Sequence, residues 1–363
     1  MFGRNEDCGL RCVYHGWKYD VNGAVTDMPA EPVRSRLKEH VKIKAYPCRE
    51  RGGVVWTYMG PDADAPPPLP NMEWNLVPAE NVFVSFRVQE CNWLQALEGE
   101  IDSAHAPILH GRIDERGAIN DWLAKQDLRP TFECLRQGFG MSIAARRRLP
   151  ENTLYWRVNQ FLLPFYTLVP PQSKFPELSG HAWVPMDDEN TLCIMFSYHP
   201  SAPLYPRARQ VFEVGHNGRE TGHASRNAYV AKNPAAPYAD YWTKYNPQTN
   251  FQFDYASQQS TWFSGVPGLW VQDSACQTGL SPIYDRSTEN LCASDTGIVM
   301  TRRLLLDSVT AYRDRNIRPA GTADPDTFMV RAVSLRLPEG TPWADVGRPH
   351  MQAQLGTGFG YEP

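Results

Sequence analysis

The alternation of hydrophobic and polar positions predicts mostly short strands with a few helices between them. Apolar residues alternate with Phe83, Ser85 and Arg87 over 82–88, which predicts a half-buried strand. Helical spacing appears over 92–105 and again after Asp295, which can cap the second helix. Further strands are expected at 138–148, 153–163, 180–185, 190–199 and 327–337. This mixture indicates an α+β fold rather than alternating βα units.

Turn-forming residues suggest where the chain divides. Asp20–Gly23 predicts a hairpin within a first segment, 1–60, that is made of strands and tight turns. The proline-rich stretch 61–70 is the expected linker, and 71–363 is the expected second domain. Residues 215–265 show little periodicity and receive no assignment.

The amino-acid composition and net charge of the chain limit the classes of protein to which it can belong. The chain has 363 residues, 42% of them hydrophobic and 21% charged, with a net charge of −4. This balance gives no reason to expect a nucleic acid or an anionic membrane as partner. No apolar run approaches the roughly 20 residues that span a bilayer, and the N-terminus lacks a signal-peptide pattern, so a cytoplasmic protein is expected. The eight cysteines are scattered, which favours reduced thiols or metal ligation over a disulfide framework.

Two short motifs suggest metal chemistry. Cys12-Val-Tyr-His15, followed by Gly16-Trp17, has the Cys-x2-His spacing of half a Rieske iron–sulfur site. The partner Cys-x-His loop is absent before it, so an N-terminally truncated sequence is expected. Without that loop the segment supplies one cysteine and one histidine.

The second motif combines Asp102, His105 and His110 on an apolar segment. Two imidazoles with one distant carboxylate form the facial set that binds non-haem Fe(II) and leaves positions open for O2. Glu98, Asp102 and His105 would share one stripe of a helix, and Pro107 predicts a kink or break between the two histidines.

The third ligand must come from elsewhere in the chain. Asp285, with Arg286 and Glu289 at helical spacing, resembles a structural ion pair, whereas Asp273 begins a short helical stretch after a Gly/Pro-rich loop. The candidate carboxylates are Asp254, Asp273, Asp285, Glu289 and Asp295.

Three long motifs resemble one known family. They are FGRNEDCGLRCVYHGWKYD (2–20), NWLQALEGEIDSAHAPILH (92–110) and WVQDSACQTGLSPIYDRSTENLCASD (270–295). The chain resembles the alpha (oxygenase) subunit of Rieske non-haem iron aromatic ring hydroxylases, in the branch that contains phthalate 4,5-dioxygenase and related O-demethylases. The resemblance implies a partial Rieske β-domain followed by a helix-grip catalytic domain with a curved antiparallel sheet.

The resemblance also implies a role for each matching residue. Cys12 and His15 match ligands of a [2Fe-2S] cluster, while His105, His110 and Asp273 match the ligands of a mononuclear Fe(2+). Asp102 matches the aspartate that links His105 of one subunit to the cluster histidine, His15, of its neighbour. The expected assembly is therefore a homotrimer or a larger ring.

The expected activity is that of a terminal oxygenase component. It would activate O2 to hydroxylate or O-demethylate an aromatic substrate, expected to be an aromatic acid, with electrons from a separate NAD(P)H-dependent reductase through a Rieske cluster. One member of Arg146–Arg148 could pair with a substrate carboxylate, but a solvated face is the favoured explanation of this run. Two alternatives stay open: a zinc-dependent hydrolase, and an inactive ligand-binding module of the same helix-grip architecture.

Overall fold

The computed structural model describes residues 3–61, 64–114, 122–171, 177–206, 208–210 and 241–357. The chain divides into two compact units, Met1–Pro67 and Pro68–Pro363. The division falls inside the proline-rich segment 61–70, where the proline rings restrict the backbone. None of the helices within the described ranges is long and apolar enough to cross a membrane.

The first unit consists of short antiparallel strands. In its described residues these are β1 (Gly3–Glu6), β2 (Gly9–Cys12), β3 (Lys18–Asp20), β4 (Val25–Asp27), β5 (Cys48–Arg51) and β6 (Val54–Thr57). The first four form one sheet in chain order, and β5 pairs with β6. The hairpin predicted at Asp20–Gly23 is confirmed. The Asp20 carboxylate accepts hydrogen bonds from the N–H groups of Asn22 (2.9 Å) and Ala24 (2.8 Å), and Gly23 supplies the φ of +82°.

The second unit is built on one large antiparallel sheet. Its strands are β7 (Val82–Gln89), β8 (Thr131–Gln137), β9 (Gly140–Leu149), β10 (Thr153–Leu162), β11 (Tyr166–Val169), β12 (Leu178–Pro185), β13 (Thr191–Tyr198) and β14 (Val333–Pro338). The order is β7-β13-β12-β11-β10-β9-β8, with β14 paired to β10 off this path. Strands β9, β10, β12 and β13 confirm four of the predicted strands, and the α+β prediction is confirmed with them.

Helices pack against this sheet. The α-helices of the described residues are α1 (Glu73–Leu76), α2 (Trp93–Ile101), α3 (Ala106–Leu109), α4 (Tyr255–Ser260), α5 (Leu269–Thr278), α6 (Thr296–Arg315) and α7 (Trp343–Met351). Shorter 3₁₀ segments lie at Leu37–Glu39, Ala79–Asn81, Leu123–Lys125, Pro247–Gln252, Arg286–Thr288, Ala293–Asp295 and Pro325–Phe328. Leu97 and Ile101 of α2 join Phe161 and Trp183 of the sheet in one buried cluster. Removal of these apolar side chains from water holds α2 on the inner face of the sheet.

The predicted helix over 92–105 ends earlier than expected. Helix α2 stops at Ile101, and the next helix, α3, begins after His105. The expected break between the two histidines is therefore wrong, because Pro107 lies in the first turn of α3, where its missing N–H leaves no helical hydrogen bond unmade. The break occurs at Asp102, whose carboxylate accepts the backbone N–H groups of Ala104 and His105.

Three other expectations need correction or completion. Strand β7 forms as predicted, but it is not half-buried, since Ser85 and Arg87 are buried along with Val82 and Val88. The strand expected at 327–337 is shorter, because a 3₁₀ turn capped by Asp324 precedes β14. Helix α6 confirms the helix predicted after Asp295, although that carboxylate accepts the N–H of Cys292 (2.7 Å) rather than one of the helix.

The stretch without periodicity, 215–265, is only partly covered. Residues 215–240 lie outside the described ranges. The remainder contains a 3₁₀ segment, Pro247–Gln252, and helix α4, which Asp254 caps through the N–H groups of Ala256 and Ser257.

Candidate metal centre

His105, His110 and Asp273 meet at one point of the second unit. One ligand atom from each residue lies within 4.8 Å of the others. Asp273 Oδ1 is 3.4 Å from Nε2 of His105 and 3.4 Å from Nε2 of His110. Among the described residues this is the one group of three or more histidine, cysteine, aspartate and glutamate side chains with such spacing. The other candidate carboxylates lie elsewhere, as helix caps or in ion pairs: Asp254, Asp285, Glu289 and Asp295.

The local fold explains why the two histidines face the same point. His105 is the N-cap of α3 and His110 is its C-cap, so little more than one helical turn separates them. The N–H of His110 donates to the carbonyl of Ala106, which closes that turn. Asp273 reaches the same point from the middle of α5. The site therefore depends on α3 and α5 packing together, because no single segment supplies all three groups.

Neighbouring side chains fix the orientation of each imidazole. Asp102 Oδ2 lies 3.0 Å from His105 Nδ1, and Gln272 Oε1 lies 2.7 Å from His110 Nδ1. Gln272 is held in turn, since its Nε2 donates to the carbonyl of Val266 at 2.8 Å. When each Nδ1–H donates to its oxygen partner, each Nε2 presents a lone pair to the centre. This is the tautomer that metal ligation through Nε2 requires.

The three groups strongly perturb one another's ionisation. Burial would raise the pKa of Asp273, but His110 and His105, together with Arg87, lower it to about 2. Burial would lower the pKa of His105, but hydrogen bonds to Asp102 and Asp273 raise it to about 10. Burial lowers the pKa of His110. Without a bound ion, the positive charge of protonated His105 offsets the negative charge of Asp273. The site therefore favours a positive charge, which a metal cation can supply.

Donor chemistry and geometry suit a divalent transition-metal ion. Two imidazole nitrogens and one carboxylate oxygen converge, and no fourth histidine, cysteine, aspartate or glutamate of the described residues joins them, which leaves coordination positions open. His110 and Asp273 are largely shielded from water, with side-chain exposures of 10% and 28%. The residues present therefore fit a mononuclear Fe(II).

The Cys12–His15 motif forms a turn in the first unit. Cys12 ends β2, its N–H donates to the carbonyl of Trp17 (2.8 Å), and the N–H of Gly16 donates to its carbonyl (3.0 Å). Arg11 supports this turn through Asp27 (2.8 Å) and the Gly16 carbonyl. Cys12 is half-buried and His15 is exposed. A Rieske cluster needs two cysteines and two histidines, and residues 3–61 bring no second pair to this turn. The pair as it stands does not fit a complete cluster.

Comparisons with known proteins show the family. Residues 57–357 match the family described as LigXa C-terminal domain like, and residues 1–47 match the Rieske [2Fe-2S] domain. The 3-chlorobenzoate-3,4-dioxygenase oxygenase subunit of Comamonas testosteroni is 31% identical over 349 residues, covering 94% of this chain and 79% of that protein. The phthalate 4,5-dioxygenase oxygenase subunit of Pseudomonas putida is 35% identical over 327 residues, covering 86% and 70%.

The chain belongs to the Rieske non-haem iron oxygenases. It is an oxygenase subunit and an oxidoreductase, and the cofactors of its family are a Rieske [2Fe-2S] cluster and a mononuclear iron. The solved structure of Pseudomonas putida CBB5 NdmA with caffeine is similar to it, with a TM-score of 0.50 over 86% of this chain and 75% of that one. At 14% identity this likeness concerns the fold alone.

Glu98 of this oxygenase is not part of the metal centre. Its carboxylate binds Arg302 of α6 (2.6 Å) and Arg286 (2.9 Å), and Glu289 binds Arg302 as well (2.6 Å). The expected stripe with Asp102 and His105 fails because α2 ends at Ile101, before those two residues. The expected Arg286–Glu289 ion pair exists at 3.6 Å, but Asp285 instead caps the N–H of Ser287.

The arginine run 146–148 alternates as a strand requires. Arg147 is buried, Arg148 is exposed, and Arg146 lies over the ring of Trp156. Arg147 donates to the carbonyls of Ser103 and Asp127, so its guanidinium is engaged with backbone.

The sequence pattern did not identify Gln272 as a residue of the site. It is a fully buried polar residue next to Asp273.

Metal binding should release a proton from the metal-free oxygenase. Below about pH 10 His105 carries a proton in the folded protein, so a ferrous ion must displace it. We expect the release of about one proton per ion at pH 7.5, and an apparent affinity that rises about tenfold per pH unit. Calorimetry in buffers of different ionisation enthalpy measures this release. Ion binding without proton uptake by the buffer would show that His105 is neutral beforehand.

Replacement of Gln272 should weaken iron binding through His110. Gln272→Leu removes the acceptor of Nδ1–H, and loss of such a partner typically lowers metal affinity about 10–100-fold. Gln272→Glu keeps an acceptor at the same place and is the matched control. Competition with a chromogenic chelator measures both affinities. Equal affinities in the two variants would mean that Gln272 merely fills space.

Proposed function

We propose that this chain is the catalytic component of an aromatic oxygenase whose mononuclear ferrous ion is held by His105, His110 and Asp273. The observation that carries this proposal is the convergence of two Nε2 atoms on one carboxylate oxygen at 3.4 Å each. A bound ferrous ion supplies the O2-activating chemistry. The protein orients both histidines so that each Nε2 faces the ion, and it limits the access of water.

The proposed substrate is an aromatic compound that carries a carboxylate, and the proposed reaction is ring hydroxylation or O-demethylation. The similar proteins are named for such compounds: 3-chlorobenzoate and phthalate. The 5,5'-dehydrodivanillate O-demethylase oxygenase subunit of a Sphingobium strain is 29% identical and covers 84% of this chain. Electrons would come from a separate NAD(P)H-dependent reductase, for which we propose no docking surface.

We assign residues 1–60 to a partial Rieske domain, 61–70 to the linker and 71–363 to the catalytic domain. Within the first segment, Cys12 and His15 would be one pair of cluster ligands. Both side chains lie in the turn between β2 and β3, and His15 is exposed, so it is accessible to a neighbouring subunit.

Asp102 would connect the two metal centres of adjacent subunits. One of its oxygens accepts the N–H of Ala104, and the other accepts from the backbone and Nδ1 of His105. The oxygen that accepts from Ala104 has one further lone pair, and 18% of the side chain remains exposed. A donor from a neighbouring His15 could therefore bind here, which supports a homotrimer or a larger ring in which each cluster serves the next subunit's iron.

Ligand variants test the proposed function directly. We expect His105→Ala and His110→Ala each to lose mononuclear iron and all aromatic product, because two ligands do not complete the facial set. His199→Ala, a half-buried histidine of the same unit, is the control and should retain both. Metal analysis together with product formation from 3-chlorobenzoate and phthalate gives the readout. Stoichiometric zinc with hydrolysis and no oxygenation would support the zinc hydrolase, and firm substrate binding without iron would support the inactive module.

Asp102→Asn tests the link between subunits, in a longer form of the protein that carries both pairs of cluster ligands. With saturating iron the variant should keep the ion but lose at least about 100-fold in reductase-dependent turnover, because the charge that joins His105 to the neighbour is gone. Asp254→Asn also alters a carboxylate that caps backbone N–H groups, but far from the imidazoles, and should turn over normally. Rapid-mixing measurement of cluster oxidation gives the rate of electron transfer. A normal rate in Asp102→Asn would refute the role.

A further inference from the structure

Arg87 is a buried arginine on the inner face of the sheet. It lies on β7 opposite Cys193, which in turn lies opposite Trp183 of β12. Its guanidinium carbon is 5.3 Å from the ring centre of Trp270 and 5.9 Å from that of Trp183. Only 4% of the residue is exposed. The two indole rings thus hold the guanidinium in place on the side of the sheet that faces α5.

Arg87 has no hydrogen-bond or ion-pair partner in the described part of the chain. Its Nε is fully buried and unpaired. Arg331, another buried arginine of this unit, forms a close ion pair with Glu73, with an Nε–Oε2 distance of 2.7 Å. A buried positive charge without an anion is costly, because the charge loses its hydration and gains nothing equivalent. A carboxylate beside Arg87 would remove this cost.

Arg87 lies near the metal centre. It is among the groups that lower the pKa of Asp273. Trp270 precedes Asp273 on α5 by less than one turn, so the indole that packs on Arg87 belongs to the helix that carries the third ligand of the centre. Asp273 cannot neutralise Arg87 once it binds a divalent ion, since that ion carries more positive charge than one carboxylate offsets. The loaded site would therefore still need an anion near Arg87.

The other buried arginines of the inner face are less suitable. Arg147 is occupied by the carbonyls of Ser103 and Asp127. Arg157 also has unpaired nitrogens, but it stacks on Trp122 at 4.6 Å and shares a hydrogen bond with Tyr155.

We propose that Arg87 anchors the carboxylate of the aromatic substrate, with Trp183 and Trp270 holding the guanidinium so that its paired N–H groups remain free for the anion. The inference rests on the proposed function. It adds the residue that would determine substrate specificity, which the proposed function does not name. Arginine suits this role because its planar fork matches two carboxylate oxygens at once. Fixing the carboxylate at Arg87 would also fix which ring position faces the iron.

Binding of two isosteric probes to the iron-loaded protein tests the proposal without turnover. Benzoate carries the charge and benzamide has nearly the same shape without it. We expect the wild type to bind benzoate at least tenfold more tightly than benzamide, measured by calorimetry under anaerobic conditions. Arg87→Gln should lose at least tenfold in benzoate affinity while benzamide affinity changes less than twofold, and Arg87→Lys should recover part of the preference. Arg148→Gln makes the same charge change at an exposed position and should match the wild type.

The outcomes separate this inference from the proposed function. A wild-type benzoate preference in Arg87→Gln, or its loss in Arg157→Gln alone, would overturn the assignment to Arg87. Loss of iron from Arg87→Gln without a change in benzoate preference would overturn it as well, because the residue would then support Asp273. If Arg87→Gln does not fold, Arg87→Met and Arg87→Lys carry the same comparison. If the proposed function were wrong and this inference right, the protein would prefer benzoate through Arg87 but would form no oxygenated product.

Discussion

The arrangement of the proposed iron site depends on the carboxylate of Asp102. This side chain ends α2 by accepting the backbone N–H groups of Ala104 and His105, and it also accepts from the imidazole of His105. One group therefore sets both the direction of the chain and the rotation of the first ligand. Helix α3 then carries His110 to the same side, and Gln272 fixes that second imidazole from α5. The geometry of the site follows from how one helix stops.

The sheet contributes more than a frame for the helices. Its inner face carries apolar residues where α2 packs, such as Phe161 and Trp183, but it also carries Arg87 and His181. His181 stacks on Trp183 with a centroid distance of 5.0 Å and binds Glu100 at 2.7 Å. Polar groups in such a position need partners: His181 has Glu100, whereas Arg87 has, among the described residues, only the two indole rings. The same face thus serves folding and, in our proposal, recognition of the substrate.

Much of this structure could be predicted from local pattern, and the exceptions have physical causes. Alternation located β9, β10, β12 and β13, because a strand's side chains alternate whatever surrounds it. The histidine motif located two of the three proposed ligands, while the choice of Asp273 over Asp254 or Asp285 required either the family resemblance or the fold. Nothing local shows that α5 lies beside α3, since His110 and Gln272 are 162 positions apart.

Predictions from the sequence were wrong where contacts between residues far apart in the chain override the conformational preference of the local segment. The polar positions of β7 suggested an exposed face, yet Arg87 is buried because Trp270, from far along the chain, covers it. Glu98 fits a helical stripe with Asp102, yet it turns to Arg302 because an ion pair with α6 is available there. Pro107 suggested a break, but a proline in the first turn of a helix is compatible with that helix.

The separation of the ligands along the chain has a consequence for stability. Two histidines flank one short helix, and the carboxylate belongs to another helix that the chain reaches only after forming most of the sheet. An ion shared by these groups acts as a cross-link between α3 and α5, and it binds the folded chain far better than the unfolded one. Iron starvation would then loosen the packing of these helices as well as stop catalysis, so the cell's supply of the metal would govern how long the folded enzyme persists.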